Sequence, residues 1–128
     1  MSLNLPSQRL CDVYQGEGRT YAMEAVEIVD GAITKKVYDL TGTTELTFTV
    51  RLTASATANA IQKTLGSGVT ITYALGGLFE VVVDPAETAA LTAGDYVFDV
   101  ALTKPGLTRR VIAIGVFPLK DGVTDPPP

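Results

Sequence analysis

The clearest pattern in the chain is alternation. In "ELTFTVRLT", Leu46, Phe48, Val50 and Leu52 take every second position, with Thr47, Thr49 and Arg51 between them. A period of two sends successive side chains to opposite faces, so this stretch predicts a half-buried antiparallel strand. "DYVFDVALT" repeats the pattern with Tyr96, Phe98, Val100 and Leu102 facing inward. "VTITYA", "LFEVVV" and "RRVIAIGVFPLK" predict further strands, and Gly115 in the last marks a bulge or close-contact point. "SQRLCDVYQGEG" predicts an N-terminal strand with Cys11 as a small buried apolar residue. "RTYAMEAVEIVDGA" puts Tyr21, Met23 and Ala25 on one parity, then Val26 and Ile28 on the other. A bulge near Ala25 accounts for the switch. A helix over 18–29 is the competing assignment, because Ala, Met and Glu favour it. "VYDLTGTT" adds a short strand and a turn at Gly42, and "AIQKT" a short strand within a small, polar stretch.

Between two of these strands, "DPAETAAL" predicts one short helical turn near 84–91. Asp84 suits the N-cap, Pro85 the first helical position, and Glu87 can reach back to the N–H of the cap. Gly94 stops it. "KPGLT" predicts a hairpin turn, with φ preset by Pro105 and a positive φ open to Gly106. Eight or nine strands result, with turn signals roughly every 8–12 residues, so the fold class is all-β, a sandwich or a barrel. Residues 1–8 are expected to form an N-terminal arm, 9–120 the β domain, and 121–128 a Pro-rich tail that cannot pair as a strand.

Composition narrows the chemistry. The 128 residues make one domain the natural expectation, and 46% apolar with 19% charged residues excludes wholesale disorder. A net charge of −4 argues against nucleic acid and against anionic membranes as partners. No run of residues is apolar and long enough for a membrane span, and "MSLNLPSQRLCD" has no basic region leading into an apolar one. The expectation is a protein made and kept in the cytoplasm of its producer. The chain has no His and no Trp, and one Cys. That removes the commonest general base and zinc ligand, the usual stacking platform for sugars, and any intrachain disulfide.

Carboxylates remain. Asp95 and Asp99 share one face of a strand, where pairing with Arg51 or Arg110 is the expected outcome. Nothing sets two carboxyls across a cleft as a glycosidase needs. "GSGVT" and "QGEGRT" lack phosphate-loop context. Arg109 and Arg110 point to opposite faces, so they make no single basic patch. Tyr14, Tyr21, Tyr38, Tyr73 and Tyr96 suit the edge or rim of a sandwich. The expectation is an interaction or scaffold module with no catalytic, cofactor-binding or metal-binding residue. A carbohydrate-binding sandwich and a hydrolase on a β scaffold are weaker readings.

A longer pattern links these pieces. Asp39 to Gly42, Gly77, Phe79, Val81, Thr88 to Leu91, Gly94, Tyr96, Asp99 to Val100, Gly115 and Phe117 follow one another between Val37 and Leu119. In that order they resemble a group of small β-sandwich domains of phage and prophage proteins, to which the baseplate upper protein N-terminal domain belongs. The resemblance implies an immunoglobulin-like antiparallel β-sandwich and a non-enzymatic virion structural protein. A lone domain of this kind points to capsid decoration or cement, bound to the major capsid protein lattice. A tail or baseplate adaptor is the alternative. The implied partners are other virion proteins, with the chain homo-oligomeric or lattice-bound. The partner-binding residues expected are Leu3, Leu5 and Pro6 in the arm and Val123, Thr124 and Pro126 in the tail.

Overall fold

The computed structural model describes residues 7–28, 35–53, 55–56, 58–106 and 108–121. The elements run β1 (Ser7–Arg9), β2 (Val13–Tyr14), β3 (Arg19–Glu24), β4 (Val26–Ile28), β5 (Lys35–Val37), β6 (Glu45–Arg51), β7 (Ile61–Leu65), β8 (Gly68–Tyr73), β9 (Leu78–Val83), α1 (Pro85–Ala89), β10 (Gly94–Thr103) and β11 (Arg110–Lys120). The fold is all-β, as the alternation predicts. Residues 19–24 and 26–28 are strand, which decides between strand and helix there.

Nine strands join in one sheet in the order β1-β11-β10-β6-β7-β8-β9-β3, with β2 also on β11. The pairing is not purely antiparallel. The N-terminal segment runs parallel to β11, with Ser7 opposite Ile114 and Leu119 opposite Val13. β7 and β8 make a short parallel pair across a tight corner at Gly66 and Ser67. That corner folds the sheet over on itself, nearly into a barrel. The strands β1/β2-β11-β10-β6-β7 form one half and β8-β9-β3 the other.

The core lies between the halves. Every inward position of β6 and β10 read from the alternation is buried: Leu46, Phe48 and Val50, then Tyr96, Phe98, Val100 and Leu102. Leu52 is the exception at 62% exposed, because β6 ends one residue before it. From the other half Tyr21, Met23, Phe79, Val81 and Val83 face them. The rings of Phe48 and Phe98 lie 5.5 Å apart, and Phe117 bridges from Phe48 at 6.4 Å to Tyr21 at 6.0 Å.

Four local expectations change. The N-terminal strand is broken at Leu10–Asp12, and Cys11 is exposed there rather than buried. β3 does not bulge near Ala25; it ends there. The Ala25 N–H donates to the Gly77 carbonyl (2.7 Å) and the Tyr38 N–H to the Ala25 carbonyl (2.9 Å). The parity switch therefore marks a change of sheet, because β4 pairs with β5. Gly115 stays in register opposite Phe98; the irregularity falls between Val100 and Ala101 instead. Finally, Tyr21 and Tyr96 belong to the core, whereas Tyr14 and Tyr73 are exposed.

Tyr21 carries a testable consequence. Its hydroxyl is buried without a hydrogen-bond partner among the described residues, and burial pushes its pKa up to about 12. A group whose folded pKa is raised gives stability that is complete below its unfolded pKa and lost as pH rises through the folded one. The Tyr21 contribution should therefore fade between about pH 10 and pH 12. Tyr21→Phe should abolish that alkaline loss and leave stability at neutral pH unchanged or higher, since an orphan hydroxyl costs about 1–3 kcal/mol. Urea unfolding at neutral and alkaline pH measures both. A neutral-pH loss above about 1 kcal/mol would mean that the hydroxyl is bonded after all.

Candidate functional site

Two surface regions stand out, one at an end of the sheet and one on its outer face. The first is built by the β8–β9 turn. Tyr73 pairs with Leu78 in register, and Leu75 lies in the turn between them. Val37 packs beside Gly77, and all four apolar side chains are exposed: Val37 41%, Tyr73 57%, Leu75 65% and Leu78 39%. Exposed apolar groups clustered in this way mark an interaction surface more often than scattered ones do. The turn is held rigidly. The Leu40 N–H donates to the Ala74 carbonyl (2.9 Å), and Gly77 takes the bond from Ala25. Beside it the Tyr38 ring carries two cations, Lys104 at 4.8 Å and Arg110 at 5.2 Å. Asp39 adjoins them; hydrogen bonds from Thr41 hold its carboxyl below the usual range.

The second region is a depression of about 330 Å³ on the outer face of β6, β10 and β11. Thr49, Arg51, Val97, Asp99, Ile114 and Val116 line it, with the backbone of Phe98 and Gly115 beneath. These are the odd-numbered positions of β6 and β10 and the even-numbered ones of β11, opposite the core. Arg51 stands across from Val97, and Asp99 across from Thr49. The expected pairing of Asp99 with Arg51 does not occur. The Arg51 Nε donates to Asn59 Oδ1 (2.9 Å), and Asp99 Oδ1 is buried without a hydrogen-bond partner among the described residues. A chain read strand by strand gives no sign of this, since Asn59 lies in the loop before β7.

The helical turn has a fastening role. Asp84 is its N-cap, Pro85 opens it, and the Asp84 N–H donates to Glu87 Oε1 (2.9 Å), as the sequence predicts. Thr88, which no sequence pattern marks, is fully buried. Its hydroxyl donates to the Glu17 carbonyl (2.9 Å) or the Pro85 carbonyl (3.1 Å) and accepts from the Gly16 N–H (3.0 Å). Gln15 adds a bond to the Leu91 carbonyl (2.7 Å). α1 thus clamps the turn between β2 and β3. Lys63 on β7 reaches the same turn, 3.2 Å from Asp84 and 2.5 Å from Glu87. Burial works against its charge, but the hydrogen bonds and charges of Glu87 and Asp84 outweigh it, so its pKa is raised.

The partner-binding residues read from the sequence, Leu3, Leu5, Pro6, Val123, Thr124 and Pro126, lie outside the described residues. Among the described residues no three His, Cys, Asp or Glu side chains form a group that would hold a metal ion, and no helix is long and apolar enough to cross a membrane. Fold and surface together define an all-β protein, one mixed sheet folded over a single core, with four of its exposed apolar side chains, Val37, Tyr73, Leu75 and Leu78, gathered at one end. Compared with protein-family models the chain finds no match, and it finds none among curated proteins.

Proposed function

We propose that this chain is a non-enzymatic structural protein of a bacteriophage particle, built as an immunoglobulin-like sandwich. More specifically, it is a capsid decoration or cement protein seated on the major capsid protein lattice. The observation that supports the sandwich is the strand order. An immunoglobulin sandwich sets its third, sixth and seventh main strands in one sheet and its second, fifth and fourth in the other. Here β6, β10 and β11 lie side by side in one half, and β3, β9 and β8 in the other. Tyr96 adds support. It sits at the start of β10 and donates its hydroxyl to the Thr92 carbonyl (2.7 Å), four residues upstream, as the tyrosine corner of such domains does. Phe48 and Phe98 add further support: their rings lie 5.5 Å apart on the third and sixth main strands, and antibody domains pack a Trp of the third strand against a disulfide that reaches the sixth. The resemblance from Val37 to Leu119 links this architecture to virion proteins.

The apolar end formed by Val37, Tyr73, Leu75 and Leu78 is the surface assigned to the lattice. Its residues project from a stiff turn, so binding there loses little conformational freedom. Quantitative mass spectrometry of purified virions tests the assignment. Copies in the hundreds, in proportion to the major capsid protein, are expected. A handful to a few dozen would overturn decoration in favour of a tail or baseplate adaptor, and absence from the particle would overturn both. Leu75→Asp should weaken binding to stripped capsids by about 2 kcal/mol, some thirtyfold, with the melting temperature unchanged. Undiminished binding would remove that end from the interface.

A further inference from the structure

We propose that the outer face of β6, β10 and β11 is a self-docking surface, on which a second copy of this chain binds with Arg51 of each copy meeting Asp99 of the other. This does not rest on the particle reading, because it uses a different face and a different partner.

Two polar groups on this face have unused capacity among the described residues. Asp99 Oδ1 is shielded from solvent and accepts no hydrogen bond among the described residues. A carboxylate whose inner oxygen lacks a donor is costly to keep, but Asp99 as a whole is only half-buried, so an ion pair formed at the outer edge of its carboxylate would offset that cost. Arg51, one strand over, is turned aside by Asn59, which takes its Nε. Among the described residues the terminal nitrogens of its guanidinium have no acceptor, which leaves them to meet one outside the fold. Between and beside them lie Val97, Ile114 and Val116, half-buried apolar side chains on the face that should be polar.

The sign of the charges selects the occupant. A free cation drawn to Asp99 would be repelled by Arg51, its diagonal neighbour. An anion drawn to Arg51 would meet Asp99. A surface that presents one of each, displaced from one another, is complementary to itself. A two-fold axis in the plane of the interface, passing between Arg51 and Asp99, brings each Arg51 to the partner's Asp99. This is the isologous contact expected of a cyclic dimer. The apolar side chains close around it and exclude water, which strengthens both ion pairs.

Sedimentation of the full chain across micromolar concentrations tests this. The wild type is expected to dimerise. Asp99→Arg and Arg51→Asp should each be monomeric alone, through like-charge contact, with far-UV and near-UV circular dichroism unchanged. Mixing the two should restore a dimer, because one variant then carries two cations and the other two anions on this face. Ile114→Lys should abolish association without altering either charged group. If a charge-reversed variant fails to fold, Asp99→Asn replaces it, with a dimer dissociation constant raised at least tenfold. A monomeric wild type, single variants that associate as the wild type does, or a mixture that stays monomeric would each overturn the proposal.

Discussion

Replacing Phe117 by alanine is expected to cost about 3–5 kcal/mol of stability, the largest loss of any single substitution considered. Phe117 is fully buried on β11, and its ring is the bridge between the two halves of the sheet. On one side it meets Phe48 of its own half at 6.4 Å; on the other it meets Tyr21 of β3 at 6.0 Å, edge to face. Truncation removes the transfer free energy of the ring and leaves a cavity that neither half can close. Each is a hydrogen-bonded ladder whose strands move together. The lost aromatic contacts add to this by about 0.5–1.5 kcal/mol. Phe117→Leu should cost much less, since it keeps most of the volume. Urea unfolding reads both, with the midpoint falling and the slope unchanged if the transition stays cooperative. A loss below about 1 kcal/mol for alanine would show that the halves are not joined through this ring.

Gly77→Ala should follow, at about 2–4 kcal/mol. The residue is buried with φ +69°, a conformation that strains any side chain. Space is as limiting as strain. A Cβ there would stand 2.7 Å from the Tyr38 carbonyl oxygen, 2.9 Å from that of Ala25 and 3.0 Å from Val37 Cγ1. Two of the three are backbone atoms, and the Ala25 carbonyl is held by the Tyr38 N–H. Relief therefore means breaking the junction that ends β3 and anchors the β8–β9 turn. Gly76→Ala is the contrasting control. Its φ is not in the left-handed region, and a Cβ would meet only the movable Tyr73 ring, 2.5 Å away. It should cost clearly less than Gly77→Ala. Equal losses at the two positions would refute the close-approach account. Because the apolar end is built on this turn, Gly77→Ala should weaken lattice binding along with stability.

The elements themselves were legible because their causes are local. Leu46, Phe48 and Val50 alternate with Thr47, Thr49 and Arg51, and a strand shows its two faces in its own sequence. The same holds for α1, whose cap, Pro85 and Glu87 all lie within four residues. Cys11 is exposed where alternation would bury it, because the break at Leu10–Asp12 leaves no local mark; the segment simply follows β11 in two short stretches. The parity switch at Ala25 was visible, but its cause was not. A bulge and a change of sheet look alike until the distant Gly77 is brought to the same place.

The candidate sites were less legible still. Asp99 and Arg51 could be set on one face from parity and strand pairing. That they remain apart depends on Asn59, a loop residue eight positions from Arg51. The apolar end joins Val37 to Tyr73, Leu75 and Leu78 across the fold, and Thr88 acts on a turn some seventy residues away. Neighbouring residues alone therefore set the secondary structure, the inward face of each strand and the helical turn. Which strands adjoin, the mixed pairing, the meeting of Val37 with Tyr73, Leu75 and Leu78, and the separation of Asp99 from Arg51 come from the three-dimensional arrangement. These depend on contacts between residues far apart in the chain, which no stretch of neighbouring residues can encode.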